Sequence, residues 1–387
     1  MTRPSAPPGH RVPLAGGAWA HVPAPLPPAL DWTPALVAAL SEADRLIGRL
    51  AGEGGRLPNP HLLIRPFLRR EAVLSSKIEG TQATLGELLA AEAGMAVDRS
   101  PADLHEVGNY VVALEHGIKR LKAIPLSLRL IRELHAKLMT GVRGDQASPG
   151  NFRETQNWIG RPGSGPAQAT YVPPPPGLIM SCIDAWEKFL HDRSLPPLVQ
   201  IALAHYQFEA IHPFRDGNGR VGRLLITLFL VERGILPTPL LYLSAFFEAR
   251  RQEYYARLQG VHARAEWEPW LAYFLEGVAS QSEDALSRAS RINTLLAKWR
   301  DKVVDAGLPA AVRLLDVLAE NPYCTVRGAA ARLKVAFTTA QREVAKLEEL
   351  KIVSQANEAK RDRVYCATGL LKILEEPAKV ATNGDYS

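Results

Sequence analysis

The sequence predicts a mostly α-helical protein with one small β-hairpin and a C-terminal helix–helix–helix–hairpin unit. Three observations carry this. Apolar residues recur at helical spacing through the first three quarters of the chain, as in Val107, Tyr110, Val111, Leu114 and in Leu128, Ile131, Leu134, Leu138. Residues 150–176 break that period with two short β-capable runs, Asn157-Trp158-Ile159 and Ala169-Thr170-Tyr171-Val172, around a Gly/Pro-rich tip. Near the end, three short helical runs precede two strand-like runs, Ile352-Val353-Ser354 and Arg363-Val364-Tyr365, joined by a charged tip.

The elements follow in order. Residues 1–30 are Pro/Gly-rich and read as an arm with some extended structure. A helix begins near Asp31, capped by Asp31 or Thr33, carries Leu36, Leu40 and Leu46, and is broken by Pro58 and Pro60. A second helix fits 66–78 and stops at Gly80. Helical pattern returns over 101–139, divided by Pro125, and again over 178–190, 197–211, 220–233 and onward to about 295. Helices over 310–320, 326–333 and 338–350, the last capped by Thr338 or Thr339, then lead into the terminal hairpin. That order is the order of a winged helix-turn-helix.

With 387 residues, two or three domains are expected. Hydrophobic residues at 47% and charged residues at 22% exclude a wholly disordered chain. No apolar run approaches the roughly 20 residues that cross a bilayer, and the start lacks the pattern of a secretory signal. Three cysteines (Cys182, Cys324, Cys366) without metal-ligand spacing suggest a reducing, cytoplasmic setting. The net charge of +6 permits contact with phosphates without requiring it.

One run concentrates chemistry: His212-Pro213-Phe214-Arg215-Asp216-Gly217-Asn218-Gly219-Arg220-Val221-Gly222-Arg223. Ile211 ends an apolar helix, and Pro213, Gly217 and Gly219 prevent its continuation. A second apolar helix begins near Arg220, so the glycines lie at a helix N-terminus, where backbone N–H groups and the helix dipole favour an anion. Arg220 and Arg223 are three apart and offer two guanidinium forks to phosphate oxygens. Asp216 is a hard oxygen ligand suited to Mg²⁺. His212, neutral, can take a proton. His205, Glu209 and His212 also stand at helical spacing, but a metal-site reading leaves the glycines and both arginines unexplained, and His205 reads as a packing residue. Trp267 and Trp270 read as core.

This run resembles the Fic family motif, His-x-Phe-x-(Asp/Glu)-Gly-Asn-Gly-Arg-x-x-Arg, at every fixed position. Residues 149–153 and 157–160 resemble the segment leading into the family's flap, and the resemblance extends over roughly residues 30–280. It implies a helical core that transfers AMP from ATP to a Tyr, Ser or Thr hydroxyl of a protein. His212 would be the general base and Phe214 the loop's anchor. Asp216 would hold Mg²⁺, and Gly217, Asn218 and Gly219 would form the anion nest. Arg220 and Arg223 would secure the outer phosphates. The Doc-type branch, which phosphorylates its target, carries lysine where Gly219 stands, so Gly219 implies nucleotidyl rather than phosphoryl transfer.

Upstream, Ser75-Ser76-Lys77-Ile78-Glu79-Gly80 resembles the family's inhibitory motif, (Ser/Thr)-x-x-x-Glu-(Gly/Asn). Ser75 and Glu79 share a helix face, and Glu79 is expected to pair with Arg223 and keep the ATP γ-phosphate from it. The hairpin at Tyr171 and Val172 would dock the target strand, and Tyr242 would wall the adenine pocket. The expected domains are an arm (1–30), a helical region with the inhibitory motif (31–100), the catalytic core (101–295), the winged helix (305–374) and a flexible tail (375–387). Over residues 309–372, 11 basic and 7 acidic side chains give only a modest basic excess. Thr339, Arg342, Arg361 and Arg363 are its candidate DNA contacts, with protein docking as the alternative. The expected ligands are ATP and Mg²⁺, and the expected partners are a target protein, the chain itself included, DNA and a second copy of the chain. Two alternatives stay open: removal of AMP by water at the same site, and a DNA-binding regulator whose core senses nucleotide.

Overall fold

The computed structural model describes residues 8–56, 60–142, 148–161, 163–359 and 361–378. Residues 1–7 of the expected arm, Pro58, Lys360 of the terminal hairpin and 379–387 of the expected tail lie outside the described residues.

The arm forms an antiparallel hairpin of β1 (Gly9–Pro13) and β2 (Trp19–Pro23), with His10 opposite Val22. Thr33 starts α1 (Pro34–Arg56), its Oγ1 accepting from the Leu36 N–H at 3.2 Å. The second helix, α2 (Pro60–Ile78), is longer than the sequence predicts. Pro66 lies inside it rather than at its start, and Pro60 is its first residue. A short α3 (Leu85–Glu92) was not expected. Its signal was present, since Thr84 and Glu87 form a capping box.

The 101–139 region divides at Pro125 into α4 (Pro101–Arg120) and α5 (Leu128–Leu138), the latter capped by Ser127. Then follow α6 (Pro176–Leu190), α7 (Pro197–Ile211), α8 (Asn218–Glu232), α9 (Ser244–Ala249) and α10 (Arg251–Arg264). The long α11 (Trp267–Asp305) runs unbroken past residue 295, so the expected boundary near 295–305 falls inside a helix.

The last elements are α12 (Pro309–Glu320), β3 (Tyr323–Thr325), α13 (Val326–Leu333), α14 (Phe337–Glu349), β4 (Ser354–Gln355), β5 (Val364–Cys366) and α15 (Thr368–Glu375). The strands form one antiparallel sheet in the order β3-β5-β4. Neither Thr338 nor Thr339 caps α14; its N-cap is Ala336, and no side chain bonds there. Among the described residues, no helix is long and apolar enough to cross a membrane.

The core centres on α7, apolar all round and buried at every residue except Pro197 and Glu209. The indole N–H groups of Trp186 and Trp270 donate to the α7 carbonyls of Ala204 and Ala202 at 2.8 and 2.9 Å. Trp270 is therefore core, as expected. Helix α8 packs against α7 and is nearly as buried, but opens at Gly219. The turn between these two buried helices carries the 212–223 run. Its place at the end of the bundle is fixed by the burial of both.

The C-terminal elements pack onto α2, α3 and α11. Arg288 of α11, itself buried, ion-pairs with Asp284 at 2.7 Å and donates to the carbonyls of Glu376 and Pro377. Glu375 of α15 accepts from the Gly86 N–H of α3 at 2.9 Å. The Asn321 amide donates to the Leu89 carbonyl at 3.0 Å.

Candidate active site

The loop after α7 begins with a reversal. His212, the C-cap of α7, has φ +49°, a left-handed conformation that ends the helix. Phe214 then turns fully inward and stacks on His135 with ring centroids 3.7 Å apart. Gly217 caps α8 with φ +76°, a conformation that favours glycine, and a Cβ there would press on Met139 Sδ at 2.9 Å. The first backbone N–H groups of α8 have no intrahelical partners, and no side chain caps them.

The loop is held from several sides. The Asn218 side chain is buried and bridges the Phe214 backbone, accepting from its N–H and donating to its carbonyl at 2.8 Å each. Its side chain therefore shapes the loop, and only its backbone N–H is left to face an anion. His135 Nδ1 accepts from the Gly150 N–H at 2.8 Å, which makes Nε2 the donor to the Asp216 carbonyl at 3.0 Å. Arg153, buried, donates from Nε to the His212 carbonyl at 2.9 Å and from Nη2 to the Pro174 carbonyl at 2.5 Å. Asn157 Nδ2 reaches the Phe214 carbonyl at 3.1 Å. His135 and Arg153 were not singled out from the sequence. The visible signal for His135 was a polar residue among the apolar positions of α5.

A cavity of about 640 Å³ opens over this loop. His212, Asp216, Gly217, Asn218, Gly219, Arg220 and Arg223 all line it. Asp216 is exposed, and its Oδ1 accepts from the Gly217 N–H at 2.6 Å. Burial pulls the His212 pKa down to about 4, so the ring is neutral at physiological pH. Both guanidinium groups are engaged. Arg220 donates to Glu106 Oε1 of α4 at 2.5 Å, and Glu106 was not anticipated. Arg223 is almost fully buried. It donates from Nε to Ser75 Oγ at 2.9 Å, from Nη2 to the Ser75 carbonyl at 2.9 Å, and from Nη2 to Glu79 Oε1 at 2.7 Å. The expected contact of Glu79 with Arg223 is thus present.

Burial raises the Glu79 pKa and Arg223 lowers it; the net direction is down, and the carboxylate is ionised. Gly219 makes the contact sterically possible, because a Cβ at 219 would overlap Glu79 Oε1 and stand 2.9 Å from Arg223 Nη1.

The expected hairpin is reduced to one antiparallel pair, Ile159 with Tyr171, closed by hydrogen bonds of 2.8 and 3.1 Å. Tyr171 lines the cavity, and its hydroxyl donates to the Ala210 carbonyl at 2.8 Å. Val172 is buried, and its carbonyl accepts from the His21 N–H of β2 at 2.8 Å, so the arm backs the hairpin. Tyr242 is the misplaced expectation. It does not line this cavity and instead is buried beside a small separate one lined also by Phe67, Arg70 and Asp284. The aromatic wall comes from α10, through Tyr254 and Tyr255, with Leu258 beside them. The family resemblance pointed to 242; the placement of α10 that brings Tyr254 and Tyr255 to the cavity has no local signature.

The metal reading of His205, Glu209 and His212 is not supported. Among the described residues no group of three or more His, Cys, Asp or Glu side chains could hold a metal. His205 is spent on packing, with Nε2 at 2.8 Å from the Tyr254 hydroxyl and Nδ1 at 3.2 Å from the Gly222 carbonyl.

Buried histidines make the fold acid-sensitive. Burial lowers His135 to about 4 and His205 to about 3, from 6.5. Below 6.5 the unfolded chain binds these protons and the folded chain does not. The stabilisation is therefore complete above 6.5 and is lost as pH falls toward the folded values, at about 3 kcal/mol for His135 and about 5 kcal/mol for His205. Glu209 and Glu71, whose pKa values are raised, work in the opposite sense and reduce the net effect. The melting temperature should fall as pH drops from 6.5 to about 4, a trend scanning calorimetry reads directly.

A helical bundle presenting a histidine, a glycine turn at a helix N-terminus and a buried arginine in one cavity defines a protein of the Fic fold. Residues 37–119 match the Fic/DOC family N-terminal segment and residues 125–230 match the Fic/DOC family. The chain carries both Fic/DOC family segments, in that order. Among curated proteins it is similar to the protein adenylyltransferase Fic of Drosophila grimshawi, 35% identical over 169 residues, which are 41% of this chain and 32% of that one. The Drosophila melanogaster protein of the same name is 34% identical over the same shares. The matched stretch spans about a third of the length of these relatives. A crystal structure of a Fic family protein from Desulfovibrio desulfuricans G20 shares the fold, with a TM-score of 0.59 and 22% identity, covering 89% of this chain and 99% of that one.

Proposed function

We propose that this chain is a protein adenylyltransferase that moves AMP from ATP to a Tyr, Ser or Thr hydroxyl of a protein and restrains itself through Glu79. The observation that carries the reading is the gathering of neutral His212, the uncapped N-terminus of α8 and Arg223 around one cavity of about 640 Å³. Such a set neutralises phosphate charge at one end and accepts a hydroxyl proton at the other.

His212 takes the proton of the acceptor hydroxyl as its oxygen attacks the α-phosphorus; the bond from that phosphorus to the oxygen bridging to the β-phosphate breaks, and pyrophosphate leaves. The backbone N–H groups of Asn218 and Gly219 receive phosphate oxygens, and Arg220, braced by Glu106, faces the same charge. Arg223 meets the outer phosphate once Glu79 withdraws. Tyr254 and Tyr255 offer the adenine a flat aromatic face. The hairpin edge at Ile159 and Tyr171 would align an extended target strand by main-chain hydrogen bonds. Mg²⁺ suits Asp216, an exposed carboxylate at the phosphate end, since magnesium is commonly bound by one or two carboxylates with substrate phosphates and water. When bound, it would neutralise phosphate charge.

Mass spectrometry after incubation with ATP and a cell extract tests the reading: protein should gain the mass of one AMP. Loss of AMP from a modified protein, without gain, would instead favour hydrolysis at the same site. That reading draws on Glu79, ionised and lining the cavity, as a group able to orient water.

The C-terminal elements support a winged-helix reading through their sheet order β3-β5-β4 and the successive helices α13 and α14. Arg342, Arg361 and Arg363 are exposed and Thr339 half-exposed, so all four can meet a partner. If that partner is DNA, filter binding should weaken steeply with salt, and salt-insensitive or absent binding would assign the unit to protein docking.

A further inference from the structure

The motif leaves position 222 open, and this chain has glycine there. Gly219 and Gly222 are three apart on α8 and share one face. A carboxylate lies over each: a Cβ at 219 would overlap Glu79 Oε1, and a Cβ at 222 would overlap Glu209 Oε1. The bare face of the helix whose N-terminus awaits phosphate thus carries two acidic groups side by side. Glu79 has Arg223 as its partner. Glu209 differs. It lines the cavity, yet its Oε1 is closed off from solvent and has no hydrogen-bond partner among the described residues.

The charged and titratable groups around it are Arg223 from α8, Glu79 from α2, Tyr254 from α10, and His205 and His212 from α7 and its end. Burial pushes the Glu209 pKa up to about 7; Glu79 adds to the rise and Arg223 opposes it. An orphaned carboxylate oxygen is costly when ionised and far less so when protonated.

We propose that Glu209, seated by Gly222, is a proton-linked part of the nucleotide site, which takes up a proton from solvent at this carboxylate when a nucleoside triphosphate binds. The proposal rests on the nucleotide-binding reading above. The physical reason is charge. A triphosphate brings several negative charges into the cavity and draws the positive charge of Arg223 toward itself. Glu209 then loses the attraction that favours its ionised form and gains repulsion. Protonated, it also presents an O–H that can donate to a phosphate or ribose oxygen, which the carboxylate cannot do.

The experiment is calorimetric titration of Mg·ATP into the full chain carrying E79G, between about pH 6 and 8 and in two buffers of different ionisation enthalpy. Binding should be accompanied by proton uptake, and affinity should fall by up to about tenfold per pH unit as pH rises through this range. In the E79G/E209Q protein both the uptake and the slope should shrink to what the nucleotide itself contributes. E79G/G222A, which displaces Glu209 from its seat while keeping the carboxyl group, should flatten the slope as well and stands in if E209Q fails to fold. An unchanged slope and uptake in both variants would overturn the proposal and leave the nucleotide site intact. No binding by the E79G parent would overturn the nucleotide reading and this proposal with it.

Discussion

Replacing Glu79 by glycine should raise AMP transfer to protein by about ten- to a hundredfold, the worth of one charge-assisted hydrogen bond restored to the phosphate. The carboxylate holds Arg223 Nη2 at 2.7 Å, and Ser75 holds the other side of the same guanidinium. A γ-phosphate arriving at this fork meets an occupied partner and a like charge. Removing the carboxylate frees one N–H while Ser75 keeps the guanidinium in place, so the site is emptied without being disordered.

The same substitution should carry a stability cost. Arg223 keeps 2% of its side-chain surface exposed and loses its only carboxylate ion-pair partner among the described residues, whereas Glu79 keeps 35% exposed and is screened by water in the cavity. The loss should therefore sit well below that of a fully buried pair, at about 1–2 kcal/mol. ATP should restore the melting temperature of E79G and raise it more than it raises that of the parent chain. Equal transfer by E79G and parent in an assay with α-labelled ATP would remove the restraint from this account.

His212→Ala should abolish transfer, with a loss of about 10²–10⁴-fold, while ATP affinity in the E79G background changes little. The phosphate-binding groups all come from α8 and its cap, and His212 contributes proton acceptance. Because burial holds the ring near pKa 4 in the free chain, His212 should be a competent base throughout the neutral range, without an activity loss of its own until pH falls well below 6.5. Alanine at φ +49° adds some backbone strain at the end of α7. His212→Asn, which tolerates that conformation better, should lose transfer equally. Labelling of protein by either variant at the parent rate would remove His212 from the base role.

Much of the site could be read locally. The run from His212 to Arg223 names its own backbone: a helix end, two glycines and a helix start. The structure follows that prescription, with α7 ending at Ile211 and α8 starting at Asn218. Helix α7 was bounded correctly because prolines mark its start and Pro213, Gly217 and Gly219 prevent its continuation. Taking Pro66 as the start of the second helix went astray: it is accommodated within α2. Strand β3 and helix α15 were missed because each is short and takes its order from neighbours, β3 from pairing with β5.

The sequence by itself determined the chemistry of the turn, since its conformation depends on residues adjacent in the chain. It also brought Glu79 into view, through a second motif. Only the tertiary structure decided what faces that turn. It placed Glu79 on Arg223 across 144 residues, set His135 and Arg153 behind the loop, chose Tyr254 and Tyr255 over Tyr242 for the cavity wall, and left Glu209 lining the cavity with Oε1 unpartnered among the described residues. Such choices depend on how buried helices rotate and stack against one another, and the volumes and crossing angles that fix those rotations belong to the whole core.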